Sequence, residues 1–99
     1  MNDTLSHWIN GQAVAGQSGR FGDIYNPAIG EKIAEVPFAS TGEVDLAVAA
    51  ASAAAPAWAA TPPIRRARVI FKFKELIQAR IDDFAAIVTR EHGKVLSDA

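Results

Sequence analysis

Short alternating apolar runs fill the first third of the chain and flank an Asn-Pro-Ala-Ile-Gly motif at residues 26–30. Proline fixes φ and glycine accepts a positive φ, so this motif predicts a tight turn between two strands. We expect those strands over about 20–26 and 31–38. Because Pro37 cannot donate a ladder hydrogen bond, the second strand should be an edge strand or should end there.

A second hairpin is predicted nearer the start of the chain, where Asn10-Gly11 separates two short apolar patches. Asn-Gly accepts the positive φ angles required at both central positions of a two-residue turn. The hairpin should cover about 7–14, and a loop rich in glycine and serine should follow at 16–19. Short hairpins cannot bury their own faces, so both must pack against other elements.

From residue 40 onward the apolar spacing becomes that of helices. Ser40 and Glu43 have the spacing of a capping box, and Thr41 is an alternative N-cap. The alanine-rich sequence that follows favours helix and allows close packing against a neighbour. We expect this first helix to reach about Ala55 and to end or bend at Pro56, which lacks the N–H of a helical hydrogen bond.

Two further helices are predicted downstream. Thr61-Pro62-Pro63 is typical of a helix start, and Gly93 is a natural stop for a third helix over about 81–91. Each helix carries an apolar face, and charged residues lie opposite the face of the second helix. The residues of the second helix's stripe are Val69, Ile70, Phe73, Leu76 and Ile77, and those of the third helix's face are Phe84, Ile87 and Val88. The segment is therefore expected to be an α+β chain, with two short N-terminal β-hairpins followed by three α-helices.

Length and composition narrow the function classes. The chain has 99 residues, a net charge of −1 and no cysteine. This charge balance gives no electrostatic reason to expect a nucleic acid or membrane partner. Without cysteine the segment cannot supply a disulfide, a catalytic thiolate or a thiolate metal ligand. The N-terminus lacks the pattern of a signal peptide, and no apolar run approaches the ~20 residues of a membrane helix. We expect a soluble, cytoplasmic protein.

Candidate phosphate and metal sites can be examined from spacing alone. Gly16, Gly19 and Gly22 are spaced by three, but they precede a predicted strand instead of a helix, which argues against a phosphate loop. His7 and His92 lie far apart without ligands at metal-binding spacing. Each histidine is expected to be a surface or capping residue, and no metal site follows from them.

Catalytic groups are also not predicted within the segment. Asp82 and Asp83 are adjacent, so their carboxylates project in different directions from a helix and do not form a dyad. No serine lies in a Gly-x-Ser-x-Gly turn. We therefore predict no catalytic and no cofactor-binding residue here. Because the last six residues begin an element and the helices carry wide apolar faces, we expect the chain to be the opening part of a longer protein.

Several short motifs occur in a familiar order along the chain. They are Trp8-Ile9-Asn10-Gly11, Ser18-Gly19-Arg20, Asn26-Pro27-Ala28-Ile29-Gly30-Glu31, Arg65-Arg66-Ala67-Arg68 and Glu91-His92-Gly93-Lys94. Together they resemble the N-terminal portion of the aldehyde dehydrogenase superfamily over about residues 7–99. Within it, the chain is most similar to the group of methylmalonate-semialdehyde dehydrogenases that acylate coenzyme A.

The resemblance implies an α/β enzyme with NAD-binding, catalytic and oligomerisation domains, assembled as a homodimer or homotetramer. This chain would form the N-terminal part of the NAD-binding domain, with hairpins over 1–38 and helices over 40–99. The implied reaction converts a small aldehyde, methylmalonate or malonate semialdehyde, with NAD and coenzyme A to propionyl- or acetyl-coenzyme A, CO2 and NADH. Its cysteine nucleophile would lie downstream.

The resemblance also implies a monovalent cation site. Many members bind the ion with backbone carbonyls just before the Asn-Pro turn and with a carboxylate at the end of the last helix. The matching positions are Ile24 and Tyr25 for the carbonyls and Glu91 for the carboxylate, where members often carry the shorter aspartate. Oxygen ligands suit such a cation. The alternative role for Glu91 is a solvated residue of the last helical turn.

Two alternative functions remain open at this stage. The chain could belong to an NAD(P)-dependent aldehyde dehydrogenase that releases a free acid, in which a downstream glutamate would act as general base for thioester hydrolysis. It could instead be a stand-alone α+β interaction module of 99 residues.

Overall fold

The computed structural model describes residues 3–99 and contains five short strands followed by three α-helices. The strands are β1 (Asp3–Thr4), β2 (His7–Ile9), β3 (Gln12–Val14), β4 (Phe21–Asn26) and β5 (Glu31–Pro37). The helices are α1 (Thr41–Ala60), α2 (Pro63–Ala79) and α3 (Ile81–His92), and a single 3-10 turn at Leu96–Asp98 follows them. The expected α+β architecture is confirmed.

Both predicted hairpins are present. Strands β2 and β3 pair antiparallel, and Asn10 and Gly11 form the turn at φ values of 54° and 74°. Strands β4 and β5 also pair antiparallel across the Asn-Pro turn. There the backbone carbonyl of Asn26 accepts from Gly30 N–H at 2.8 Å, and the Asn26 side chain accepts from Ala28 N–H at 3.0 Å. The turn is therefore stabilised by the residue types that predicted it.

Strand β1 was not predicted. It pairs parallel with β5, where Asp3 lies opposite Ala34, and gives a three-stranded sheet of order β1-β5-β4. The N–H of Leu5 extends this pairing by donating to the Glu35 carbonyl oxygen at 2.8 Å. A two-residue strand has no hydrophobic period of its own, so local sequence patterns do not reveal it.

Helix α1 begins as predicted, with Ser40 as N-cap and a complete capping box. Its predicted end is wrong, because the helix continues through Pro56 to Ala60. Proline removes one N–H and crowds the preceding turn, but the surrounding alanines are strong helix formers. The helix ends where the Thr61 hydroxyl donates to the Ala57 carbonyl oxygen at 2.8 Å.

The starts of the other two helices and the end of α3 agree with the predictions from the sequence. Pro62 and Pro63 open α2, with Pro62 as N-cap. Gly93 ends α3 in the left-handed conformation, at φ 84°. Helix α3 packs against β4, and its half-buried residues are Ala85 and Thr89. This packing positions the end of α3 beside the hairpin turn.

The chain forms a thin layer with a very small interior. Its extents are 48 × 37 × 15 Å, and its accessible surface of 7700 Å² exceeds the roughly 5,400 Å² of a compact protein of this mass. Among residues 3–99 the buried ones are Ala34, Pro37 and Glu43. The apolar faces of α2 and α3 are largely exposed, with Phe73 at 59% and Ile87 at 52%. These faces therefore have no cover within the described residues.

None of the described helices is by itself long and apolar enough to cross a membrane. Helices α1 and α2 reach the required length and composition only as a pair, and they are bent by 120° at the break between them.

Candidate cation site

The two predicted carbonyl ligands lie on β4 where its pairing with β5 becomes irregular. Ile24 pairs with Ala34 and Tyr25 with Lys32, so Ile33 of β5 is an extra residue between the two pairs. A bulge of this kind changes the direction of neighbouring backbone groups and increases the local twist. At this position, backbone carbonyls can therefore point away from the neighbouring strand instead of accepting its hydrogen bonds.

The predicted carboxylate lies on the neighbouring element. Glu91 is an exposed residue in the last turn of α3, which packs against β4. Two residues beyond it, Gly93 approaches the Asn-Pro turn so closely that an added Cβ would lie 3.3 Å from Pro27 Cγ. Pro27 itself follows Tyr25 by two residues. The structure thus brings together the two segments that carry the predicted ligands.

Charged groups near this end of the sheet are largely compensated. Lys32, the register partner of Tyr25, contacts the carboxylates of Glu35 at 2.6 Å and Asp23 at 3.0 Å. Hydrogen bonds that the Lys32 ammonium donates to Glu35 and then to Asp23 raise the pKa of this ammonium. Arg90, beside Glu91, reaches β1, where its Nη2 lies 3.7 Å from a carboxylate oxygen of Asp3. The three predicted ligands are two backbone carbonyls and one carboxylate, which are oxygen groups of the kind that hard cations bind.

Sequence patterns missed a second polar cluster, centred on the buried Glu43. One carboxylate oxygen accepts from Ser40 N–H at 2.9 Å and the other from Gln17 N–H at 3.2 Å. The Ser40 backbone bond, opposed by burial, lowers the pKa of the Glu43 carboxyl, and the Ser40 hydroxyl and Gln17 bonds add to this effect. The capping-box spacing reveals the bond to Ser40, whereas Gln17 is 26 residues away and leaves no local signal.

The histidines differ in environment. His92 is exposed at the end of α3, as expected. The expectation of a surface or capping role for His7 is wrong, because its side chain is only 17% exposed and its Nε2 lies 3.3 Å from a Glu43 oxygen. This contact is not a hydrogen bond, and within residues 3–99 the enclosed Nε2 has no hydrogen-bond partner. Pairing of β2 with β3 and the closeness of Gly16 hold the imidazole there.

The sequence matches the aldehyde dehydrogenase family over residues 13–99. It is 45% identical over 96 residues to a malonate-semialdehyde dehydrogenase of Pseudomonas aeruginosa, covering 97% of this chain and 19% of that protein. It is 38% identical over 96 residues to the human mitochondrial methylmalonate-semialdehyde/malonate-semialdehyde dehydrogenase, named as acylating, covering 97% of this chain and 18% of that protein.

A solved structure resembles the fold closely. The crystal structure of a protein from Sinorhizobium meliloti 1021, assigned as a methylmalonate-semialdehyde dehydrogenase and solved with NAD, superposes with a TM-score of 0.95 at 47% identity. The match covers 99% of this chain and 20% of that one. The chain therefore spans about a fifth of the length of the relatives that it matches.

Proposed function

Because this chain belongs to the aldehyde dehydrogenase family, we propose that it is the N-terminal part of an NAD-dependent semialdehyde dehydrogenase that acylates coenzyme A. The observation that carries the proposal is that 97% of this chain aligns with proteins named as malonate- and methylmalonate-semialdehyde dehydrogenases. One of these relatives is named as acylating, and a similar structure holds NAD. The proposed substrates are methylmalonate and malonate semialdehyde.

The proposed reaction needs a group that this segment does not contain. A thiolate adds to the aldehyde carbon, the resulting thiohemiacetal gives a hydride to NAD, and the acyl group remains on sulfur as a thioester. Coenzyme A then takes the acyl group, and loss of the carboxyl carbon as CO2 leads to propionyl- or acetyl-coenzyme A. A thiolate suits the addition to the aldehyde because it is nucleophilic near neutral pH. It also suits the transfer to coenzyme A because it is a good leaving group. Since these 99 residues include no cysteine, we assign the nucleophile to further polypeptide.

We assign a structural role to this segment within the cofactor domain. The hairpins over 1–38 and the helices over 40–99 would form one edge of the NAD-binding domain. The exposed stripe of α2, which includes Val69 and Phe73, supports this role because isolated proteins rarely expose contiguous apolar faces. Burial of that stripe against the rest of the domain would remove it from water.

We also propose that Ile24, Tyr25 and Glu91 bind a monovalent cation. The ion would join the end of β4 to the end of α3 and so fix the corner of the domain near the Asn-Pro turn. The close approach of Gly93 to Pro27 supports the proposal, because it brings the two segments together without the ion. The ion's role would be structural, since none of the three residues is proposed to act in the reaction.

The remaining proposals concern assembly and location. We propose a homodimer or homotetramer in the cytoplasm, acting on a small-molecule aldehyde with NAD and coenzyme A. A net charge of −1 on the segment supports the view that neither nucleic acid nor a membrane is a partner.

The test is a product analysis with the full-length protein. NADH formation from malonate semialdehyde is followed by absorbance, with and without coenzyme A, and the acyl product is identified by mass spectrometry. We expect NADH formation to depend on coenzyme A and to yield acetyl-coenzyme A in equal amount. Release of a free acid without coenzyme A would support the alternative of a hydrolytic aldehyde dehydrogenase and would contradict the acylating assignment.

A further inference from the structure

We propose that His7 and Glu43 form a proton-sensitive latch that holds the β2–β3 hairpin on the N-terminus of α1. The latch lies away from the candidate cation site and does not depend on the proposed reaction. It joins a residue of the first hairpin to the capping-box glutamate of a helix that begins more than 30 residues later. What it would control is how firmly the hairpin is attached to the remainder of the fold.

The geometry of Glu43 makes it the centre of the attachment. The residue is only 7% exposed, and its two oxygens accept backbone N–H groups from Ser40 and Gln17. The first of these bonds belongs to α1, and the second belongs to the loop that leaves β3. One carboxylate therefore binds the helix start and the hairpin exit at the same time. His7 Nε2, 3.3 Å from the oxygen that also accepts from Gln17, adds β2 as a third element.

The enclosure of the imidazole explains why its charge should matter. Nε2 is buried and has no hydrogen-bond partner among the described residues, so the neutral ring gains little from the nearby carboxylate. A protonated ring would instead place a positive charge beside a carboxylate that is shielded from water. Imidazole side chains ordinarily change charge between about pH 5 and 8, so this contact can strengthen within that range.

Among residues 3–99, the groups around the pair are uncharged or have another partner. Gly16 lies beside the ring and Pro37 lies beside Gly16, and both are uncharged. Arg20, the charged residue at the end of the connecting loop, donates to the Ala39 carbonyl oxygen at 3.2 Å. The groove of about 290 Å³ beside the pair is otherwise lined by uncharged residues of β2, α1 and the segment between β5 and α1. The hydrogen bond that the Ser40 backbone N–H donates lowers the pKa of the Glu43 carboxyl, which favours the charged carboxylate.

Hydrogen exchange read by mass spectrometry tests the latch in the full-length protein. Exchange of amides in the hairpin is compared at about pH 5.5 and about pH 8, after correction for the intrinsic pH dependence of exchange. Peptides from α2 provide an internal reference. We expect the corrected exchange of the hairpin to be roughly two- to fivefold faster at the higher pH, and that of α2 to be unchanged.

Two histidine variants make the result specific. His7→Gln keeps a polar side chain but cannot titrate, and it should make the hairpin's corrected exchange equal at the two pH values. His92→Gln, at the exposed histidine of α3, should leave the wild-type difference intact. The latch is refuted if wild type shows no pH difference in the hairpin, or if His7→Gln retains it.

Discussion

Glu91 is the residue on which the proposed cation site most depends, because it supplies the only side-chain oxygen in the set. Replacement by glutamine keeps the size of the side chain and removes its charge. In the full-length enzyme, Glu91→Gln should raise the potassium concentration for half-maximal activation by at least about tenfold, since affinity for hard cations follows ligand charge. The measurement is a potassium titration of NADH formation at constant ionic strength, with a large organic cation as the replacement salt.

Two matched variants accompany that titration. Asp82→Asn removes a carboxylate from the first turn of the same helix and should leave the potassium response unchanged. Glu91→Asp keeps the charge on a shorter side chain and should retain activation. A potassium response in Glu91→Gln equal to that of wild type would reject the site.

At the same scale, Glu43 shows which contacts local sequence patterns can predict and which they cannot. The Ser40–Glu43 spacing predicts the capping box, and the structure confirms it. The contacts of Glu43 with Gln17 and His7 depend on how the β2–β3 hairpin docks on the helix. Docking of this kind is set by tertiary packing, so the buried position of His7 could not be derived from its neighbours in sequence.

The individual elements were more predictable than their ends and partners. Both hairpins follow from turn residues whose backbone preferences are strong, namely Asn10-Gly11 and the Asn-Pro turn. The expected end of α1 near Ala55 was wrong, because the alanines around Pro56 are strong helix formers and the helix continues to Ala60. Strand β1 was missed because it exists only through its parallel pairing with β5.

Gly93 connects element structure to the proposed site. It ends α3 at φ 84°, and an added Cβ would meet Pro27 Cγ at 3.3 Å. Gly93→Ala should therefore lower the free energy of unfolding by about 1–2 kcal/mol, the usual cost of a left-handed alanine, with the Pro27 contact adding to it. The measurement is urea unfolding of the full-length protein with the m-value checked for constancy.

The matched control is Gly42→Ala in the first turn of α1. Its φ is not in the left-handed region, and the nearest atom to an added Cβ is Ser40 Oγ at 3.9 Å. Because alanine is favoured over glycine in helices, this variant should be as stable as wild type or slightly more stable. If Gly93→Ala also left the free energy of unfolding unchanged, that result would contradict the close packing of α3 on the Asn-Pro turn.

At the scale of the whole molecule, residues 3–99 form a layer in which the apolar faces of α2 and α3 are largely exposed. Its radius of gyration of 17.2 Å exceeds the roughly 13 Å expected for a compact domain of this length. The periodicity of α2 predicts which residues share a face, and their exposure, such as 54% for Leu76, agrees with an expectation that other polypeptide covers them. What covers them cannot be derived from the segment, because the covering residues are outside it.

Sedimentation velocity of the isolated 99-residue chain tests this account most directly. If the apolar faces of α2 and α3 are built to pack against the rest of a cofactor domain, the chain alone should self-associate at micromolar concentration, and chemical denaturation should lack a single cooperative transition. The full-length protein should instead sediment as one discrete oligomer. A monomeric isolated chain that unfolds cooperatively would contradict the account and would favour the stand-alone interaction module.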